Sequence, residues 1–134
     1  IAFDVQDAGT TNLAILNDVI GGYSAALIEA WNTTVNGLTI QGNSIGVGAN
    51  GSAQITSGNI EELVSLGGSG VRSNILIGGT GAGQGNIVAF GSQSGIRVDS
   101  TGTNLQVIGN TIRNNTRNGI VVPGNTRCLL YTSD

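Results

Sequence analysis

Residues 103–112 read TNLQVIGNTI, and two earlier stretches follow the same template: TNLAILNDVI at 11–20 and NGLTIQGNSI at 36–45. Each copy places apolar side chains at its third, fifth and tenth positions and an Asp or Asn at its eighth. A fixed period of roughly 25 residues, such as separates the first two copies, is typical of proteins built from stacked repeats. The sequence therefore predicts a repeat fold with this ten-residue unit as its recurring element.

A second unit follows the first at a matching offset. NIVAFGSQSGIRV at 86–98 aligns with NTIRNNTRNGIVV at 110–122, and FDV at 3–5 precedes IEA at 28–30 by the interval that separates the first two copies of the template. Apolar and polar side chains alternate with period two in these units, which indicates strands, because a helix could not keep such residues on one face. Each repeat is predicted to be two short strands joined by a bend.

Strands from successive repeats follow the same path, so we expect them to lie side by side and to run in the same direction. A stack of parallel strands filled by columns of Ile, Val and Leu is a parallel β-helix, and strand chirality favours the right-handed form. We predict this all-β fold, with about four coils. One inward column is expected to hold Phe3, Ile28, Val64, Ile96 and Ile120, and another Val5, Ala30, Leu66, Val98 and Val122. We expect almost complete burial of Ile28, Leu38, Ile40, Ile45, Ile96, Leu105, Val107, Ile112 and Ile120.

Two insertions interrupt the period, GVGANGSAQITSGNI at 46–60 and GGTGAGQG at 78–85. Gly, Ser, Thr and Asn dominate both insertions, as they do in loops that leave a fold between strands. The second insertion lacks the Gly-Lys-Ser/Thr ending of a phosphate-binding loop, and the chain contains no lysine. It is therefore interpreted as a flexible insertion and not as a nucleotide site.

The last seven residues, CLLYTSD at 128–134, depart from the repeat. They resemble the translation of a transposon-end adapter used in preparing sequencing libraries. We therefore interpret residues 1–127 as β-helix repeats and residues 128–134 as a non-native tail. We leave the tail out of the fold and expect no strand in it that pairs continuously with residues 120–122. The chain is interpreted as a fragment whose partners include further β-helix coils of a parent chain.

Composition excludes several classes of protein. The 134 residues include 23 Gly, one Pro and 10% charged residues, which is too apolar for a disordered tail and too rich in turn formers for a helical bundle. A net charge of −3 argues against a nucleic-acid partner. No run approaches the ~18 apolar residues of a membrane span. With no histidine and one cysteine, in the tail, the sequence predicts no cofactor, no metal ion and no Ser-His-Asp or Cys-His catalytic set.

Asp18, Asn43, Asn86 and Asn110 occupy the bend of successive predicted coils. Stacked Asn side chains can hydrogen-bond along such a column, which satisfies amides that would otherwise be buried without partners. A row of ligands for a metal ion or a small molecule is the alternative interpretation. Asp18 would end the amide ladder at the first coil.

The alternation that directs Ile28 and Ala30 inward directs Glu29 and Trp31 outward. The same rule assigns one exposed strip of a single sheet to Asp4, Gln6, Glu29, Trp31, Ser65, Arg97, Asp99, Val121 and Pro123. We expect the 46–60 insertion to form one wall of a shallow groove along this strip.

Carboxylates are the only catalytic groups left to consider. Asp4 and Glu29 should be neighbours about 5 Å apart, close to the carboxylate spacing of retaining glycosidases, so they are candidate catalytic residues. Trp31 offers a flat apolar face for a sugar ring. The predicted ligand-binding residues are Glu29, Trp31, Arg97 and Asp99. In the alternative interpretation these are ordinary solvated side chains, with Arg97 and Asp99 partly balancing each other.

The runs QGNSIGV, ILIGGTGAGQGNIV, SGIRV and VIGNTIRNNTRNGIVV resemble the right-handed parallel β-helix repeats of secreted and surface-attached bacterial proteins, within the wider pectate-lyase-like group. The likeness covers residues 11–125 of the 134. It is specific for fold and not for activity, since that group includes lyases, hydrolases, epimerases and adhesins.

Two functions follow from this resemblance and from the strip. Lyases of the group use a basic residue with calcium-bound carboxylates, and the hydrolases use clustered aspartates, but this sequence shows neither cluster. We therefore expect a non-catalytic β-helix segment of a secreted or cell-surface bacterial protein that contacts polysaccharide. The alternative is a fragment of a carbohydrate-active enzyme, such as a polysaccharide lyase, glycoside hydrolase or epimerase, whose catalytic coils are mostly missing.

Overall fold

The computed structural model of the chain describes residues 1–7, 9–57, 61–99, 102–122 and 129–133. Within these residues all regular structure is β-strand, and every pair of named strands is parallel. The strands are β1 (Phe3–Asp4), β2 (Thr10–Leu16), β3 (Val19–Ile20), β4 (Ile28–Trp31), β5 (Val35–Gln41), β6 (Ser44–Ile45), β7 (Val64–Gly67), β8 (Arg72–Gly78), β9 (Ile87–Ala89), β10 (Ile96–Val98), β11 (Leu105–Arg113), β12 (Ile120–Val121) and β13 (Leu129–Ser133). Nowhere in this described part is there a helix long and apolar enough to cross a membrane.

The first sheet has the order β1-β4-β7-β10-β12. Its register places the Cα atoms of one predicted inward column side by side in five strands: Phe3, Ile28, Val64, Ile96 and Ile120. Between Ile28 and Val64 the chain gains the 46–60 insertion, and the pairing is unchanged. The predicted register of this sheet is therefore confirmed. The insertion does not disturb it, because the inserted residues leave the sheet between two strands.

The second sheet is strongly curled and has the order β2-β5-β8-β11-β9-β6-β3, with β13 also paired to β11. The curl arises because β11 pairs with β8 through its first half and with β9 through its second half. The chain turns between these halves at Gly109, whose φ is +65°, and equivalent bends have Gly42 at +69° and Asn17 at +58°. Gly and Asn adopt this left-handed conformation more readily than other residues, which explains why one of them precedes the eighth position of the template.

Apolar side chains from both sheets form one core. Eight of the nine side chains predicted to be buried are at most 7% exposed. Ile120 is the exception, since it is only half-buried, and Phe3 in the same column is 36% exposed. Both residues lie on the outer strands β1 and β12, where no further described strand covers them. The prediction of near-complete burial was therefore wrong for Ile120.

Residues 129–133 lie in the segment that we interpret as a non-native tail. They form β13, and Leu129 pairs with Leu105, its equivalent in the preceding repeat. The pairing continues the column of β11 and not that of residues 120–122. The boundary between residues 127 and 128 lies outside the described residues, and the non-native origin of the tail stays a prediction.

The described part of the first insertion, residues 46–57, lies along the ends of β3, β9 and β11. The Gly22 amide donates to the Ile55 carbonyl over 2.8 Å, and the Thr56 hydroxyl donates to the Phe90 carbonyl over 3.3 Å. The Arg113 guanidinium donates to the Gly51 carbonyl. The insertion is therefore tied to the curled sheet.

The predicted asparagine ladder is confirmed. Asn43, Asn86 and Asn110 are each 1% exposed. The amide of Asn43 donates to the side-chain oxygen of Asn86 over 3.0 Å, and the amide of Asn86 donates to that of Asn110 over 2.8 Å. The side-chain amides also donate to the carbonyls of Ile15, Ile40 and Ile77. Asp18 ends the ladder with its backbone N–H, which donates to Asn43.

Replacing the central ladder residue should destabilise the chain. Asn86→Ala removes the acceptor of two Asn43 donors and the donors to Ile40 and Asn110. Each buried polar group that is left without a hydrogen-bond partner costs about 1–3 kcal/mol, so we expect a loss of about 3 kcal/mol in the free energy of unfolding. Denaturant unfolding followed by circular dichroism measures it.

Asn36→Ala is the matched control. Its side chain accepts from Asn74 over 2.7 Å in an exposed row, where water can replace the bond, so the loss should stay within about 0.5 kcal/mol. Equal losses for the two variants would contradict a special role for the buried ladder.

Candidate ligand-binding cleft

The outer face of the first sheet carries an open cleft of about 460 Å³. Outward positions on three neighbouring strands supply Glu29 and Trp31 from β4, Ser65 from β7 and Arg97 from β10. Segments that precede β4, β7 and β10 complete the lining with Ala26, Glu61, Glu62 and Gln93.

Strand register decides which side chains meet in the cleft. Glu29, Ser65 and Arg97 are direct partners across the sheet. Since neighbouring strands are about 4.8 Å apart, the Cα atoms of Glu29 and Arg97 are about 10 Å apart, with Ser65 between them. Ser65 is only 5% exposed, although the sequence places it on the exposed strip. A small side chain between two long ones forms the floor of the cleft.

Trp31 lies across the neighbouring strand. Its register partner is Gly67, and a Cβ atom added at Gly67 would overlap Cζ3 of the indole. Gly67 has no left-handed φ, so its value here is space and not backbone freedom. The absence of a side chain at Gly67 lets the Trp31 ring lie on the sheet, where it remains partly exposed.

Arg97 contacts both the Trp31 ring and two acidic side chains. Its guanidinium carbon is 5.3 Å from the centroid of the Trp31 ring, within range of a cation–π interaction. Its Nη atoms lie 3.8 Å from a Glu62 oxygen and 3.7 Å from an Asp99 oxygen, which are ion-pair distances too long for hydrogen bonds. Its buried Nε has no hydrogen-bond partner among the described residues. The buried Nε is out of reach of a ligand, whereas the Nη groups, in a side chain that is 33% exposed, can donate to one.

Glu29 lies in an acidic environment. Partial burial raises the pKa of its carboxyl group, Asp4 and Glu61 raise it further, and the Ile1 amine opposes them. Asp4 is the direct register neighbour of Glu29, as the sequence predicts. It is exposed and accepts a 2.6 Å hydrogen bond from the Gln6 amide. Glu29 thus binds a proton more readily than an ordinary glutamate.

A buried arginine fixes the strand ends that carry the cleft. Arg72 is 1% exposed, and its Nη atoms donate over 2.8–3.1 Å to the carbonyls of Thr33, Gly68, Ser69 and Asp99. These carbonyls lie just after β4, β7 and β10. Burial lowers the pKa of Arg72, and Asp99 partly offsets this effect.

Of the predicted ligand-binding residues, the structure brings Glu29, Trp31 and Arg97 together in the cleft. Asp99 pairs with Arg97 but does not line the cleft. Of the two candidate catalytic carboxylates, Glu29 lines the cleft and Asp4 stands beside it. Pro123, at the end of the predicted strip, lies outside the described residues.

The prediction that the 46–60 insertion walls the groove was wrong for its described part, since none of residues 46–57 lines the cleft. Instead the cleft is lined by Glu61, Glu62 and Gln93, which the sequence did not predict as lining residues. The Glu61-Glu62 pair directly before the inward-facing Leu63 and Val64 is the one signal that could have indicated it.

Comparisons with family models, with curated proteins and with solved structures gave no significant match to this chain. Within the described ranges, no three His, Cys, Asp or Glu side chains come together in a way that could hold a metal ion.

Filling the space above Gly67 should displace Trp31. In Gly67→Ala the new methyl group overlaps the indole, so we expect a shift in Trp31 emission and a loss of about 1–3 kcal/mol in stability. Trp31 is the only tryptophan, so fluorescence reports on it directly.

Gly48→Ala is the control, because Gly48 also has an ordinary φ and its added Cβ would meet nothing closer than 3.5 Å. An unchanged emission spectrum in Gly67→Ala would contradict the described position of the ring.

The raised pKa of Glu29 predicts a pH effect on stability. In the unfolded chain the Glu29 carboxyl group has its ordinary pKa of about 4.5, and in the folded chain its pKa is higher. Between these two pKa values only the unfolded chain has lost the proton, so the stability that Glu29 contributes falls as the pH rises through this range. It stays lower at higher pH. Glu29→Gln removes the effect. The variant should unfold at a higher temperature than the wild type at neutral pH, and the difference should shrink as the pH falls below this range.

Asp7→Asn removes one exposed acid away from the cleft and serves as a charge-matched control. A Glu29→Gln variant that is less stable than the wild type at neutral pH would show that the ionised carboxylate is stabilising.

Proposed function

We propose that the chain is a segment of a right-handed parallel β-helix of the pectate-lyase-like kind, from a secreted or cell-surface bacterial protein, and that it binds polysaccharide without catalysis. The fold part of this proposal is supported by parallel pairing between equivalent strands of successive repeats and by the curl of the second sheet. The repeat motifs of the sequence support the same fold.

The position of Trp31 carries the binding part of the proposal. Its ring lies on the sheet over Gly67, in a cleft whose other lining groups are mostly polar. An aromatic face beside hydrogen-bonding groups suits a sugar, whose ring offers C–H bonds on one face and hydroxyl groups at its edge. An open cleft removes little of the ligand from water, so the affinity should be modest.

One observation favours the alternative of a carbohydrate-active enzyme. Glu29 has a raised pKa and an adjacent carboxylate, Asp4. A carboxyl group of raised pKa next to a second carboxyl group is the kind of pair that glycosidases use to cleave a glycosidic bond. Release of new reducing ends from an oligosaccharide, lost in Glu29→Gln, would favour this enzyme over the binding segment.

A titration of neutral oligosaccharides tests the binding proposal. We expect Trp31 fluorescence to change with a Kd on the order of 0.1–1 mM, because the cleft is open. In calorimetry, Trp31→Ala should weaken binding at least about tenfold, since it removes the stacking surface. Tyr23→Ala is the control, because Tyr23 is an exposed aromatic residue that does not line the cleft. No response across a broad glycan panel would contradict the proposal.

A further inference from the structure

Acidic side chains outnumber basic ones in the cleft. Glu29, Glu61 and Glu62 line it, and Arg97 is the one basic residue among its lining residues. Asp4 stands next to Glu29, and Asp99 stands next to Arg97. A ligand in this cleft therefore meets a negative potential, which repels carboxylates and attracts cations.

The single arginine does not neutralise this potential. Arg97 already faces both Glu62 and Asp99 and lies over the Trp31 ring. Within the described part of the chain, Glu29 and Glu61 have no salt bridge. Burial and the neighbouring acids Asp4 and Glu61 raise the pKa of the Glu29 carboxyl group. Two carboxyl groups are thus left for a cation supplied by the ligand.

The floor of the cleft adds an independent polar contact. Ser65 lines the cleft and is only 5% exposed. A hydroxyl can both donate and accept, so this side chain offers a ligand both kinds of hydrogen bond. Together with Gln93, which also lines the cleft, it suits a ligand whose own hydroxyl groups need both kinds of partner.

We propose that the cleft selects an oligosaccharide that carries protonated amino groups over its neutral and acidic counterparts. This inference rests on the proposed carbohydrate binding and names its ligand class. One sugar ring packs against the part of the Trp31 ring that Arg97 leaves exposed, an ammonium group pairs with Glu61 and Glu29, and ring hydroxyls bond to Ser65 and Gln93. A cationic peptide would satisfy the charge but not the hydroxyl partners, so the amino sugar fits the lining better.

Three oligosaccharides of equal length test this inference: a β-1,4-linked glucosamine oligomer, its fully N-acetylated form, and an oligogalacturonate. Titrations at about pH 6, where amino groups are protonated, follow Trp31 fluorescence. The glucosamine oligomer should bind about three- to tenfold more tightly than its acetylated form, as expected for one or two exposed ion pairs. The preference should disappear at about 0.5 M salt, which screens them.

Variants separate charge from the rest of the cleft. Glu61→Gln should at least halve the logarithm of the ratio between the two Kd values, so that a tenfold preference for the glucosamine oligomer falls to about threefold or less. The reason is that the substitution removes one of two carboxyl partners. Binding of the acetylated form should weaken less than binding of the glucosamine oligomer, because only the latter loses an ion pair. Asp7→Asn, which removes an exposed acid that does not line the cleft, should keep the full preference.

Each remaining outcome overturns a defined statement. Equal binding of the glucosamine oligomer and its acetylated form would overturn the amino-sugar inference and leave carbohydrate binding intact, as would tighter binding of the galacturonate. A lysine tetrapeptide that competes as well as the glucosamine oligomer would overturn the sugar assignment in favour of simple charge recognition. No fluorescence response to any of the three sugars would overturn both this inference and the proposed function.

Discussion

Parallel pairing in fixed register is the constraint on which the rest of this structure depends. Each strand of the first sheet hydrogen-bonds to its equivalent in the next repeat, so Ile28, Val64 and Ile96 stack although they lie far apart in sequence. A slip by one position would turn Glu29 and Arg97 into the core and expose the isoleucines. Apolar burial on the inner face therefore also fixes the order of polar groups on the outer face. The cleft is a consequence of the core.

Two buried polar systems are compatible with this core because backbone carbonyls accept hydrogen bonds from them. The asparagine ladder uses side-chain oxygens and the carbonyls of Ile40 and Ile77. The Nη atoms of Arg72 use carbonyls that follow three different strands. Because a buried guanidinium without such partners would be costly, Arg72 holds the ends of β4, β7 and β10 in one arrangement. Those strands supply Glu29, Trp31, Ser65 and Arg97 to the cleft.

The cleft belongs to the stack and not to any single repeat. Trp31 needs the missing side chain of Gly67 on the next strand, and Arg97 reaches the same ring from the strand beyond. A substitution two strands away can therefore change how the ring is presented. For the same reason, a glycan chain lying along the stacking direction would meet groups from three successive strands.

The sequence by itself determined the parts of this protein that repeat. Period-two alternation and the repeat spacing, once the two insertions are set aside, predicted the parallel register, the inward columns, the asparagine ladder and the outward positions of Glu29, Trp31 and Arg97. Only the tertiary structure decided the parts that do not repeat. Glu61, Glu62 and Gln93 enter the cleft, Arg72 takes a buried position beside Val35, and residues 129–133 pair with β11. The physical reason is that periodicity fixes a residue's face and neighbours within a strand. Contacts between segments that share no common pattern decide the rest. They set the path of an insertion, the burial of an outer strand and the hydrogen-bond partners of Arg72.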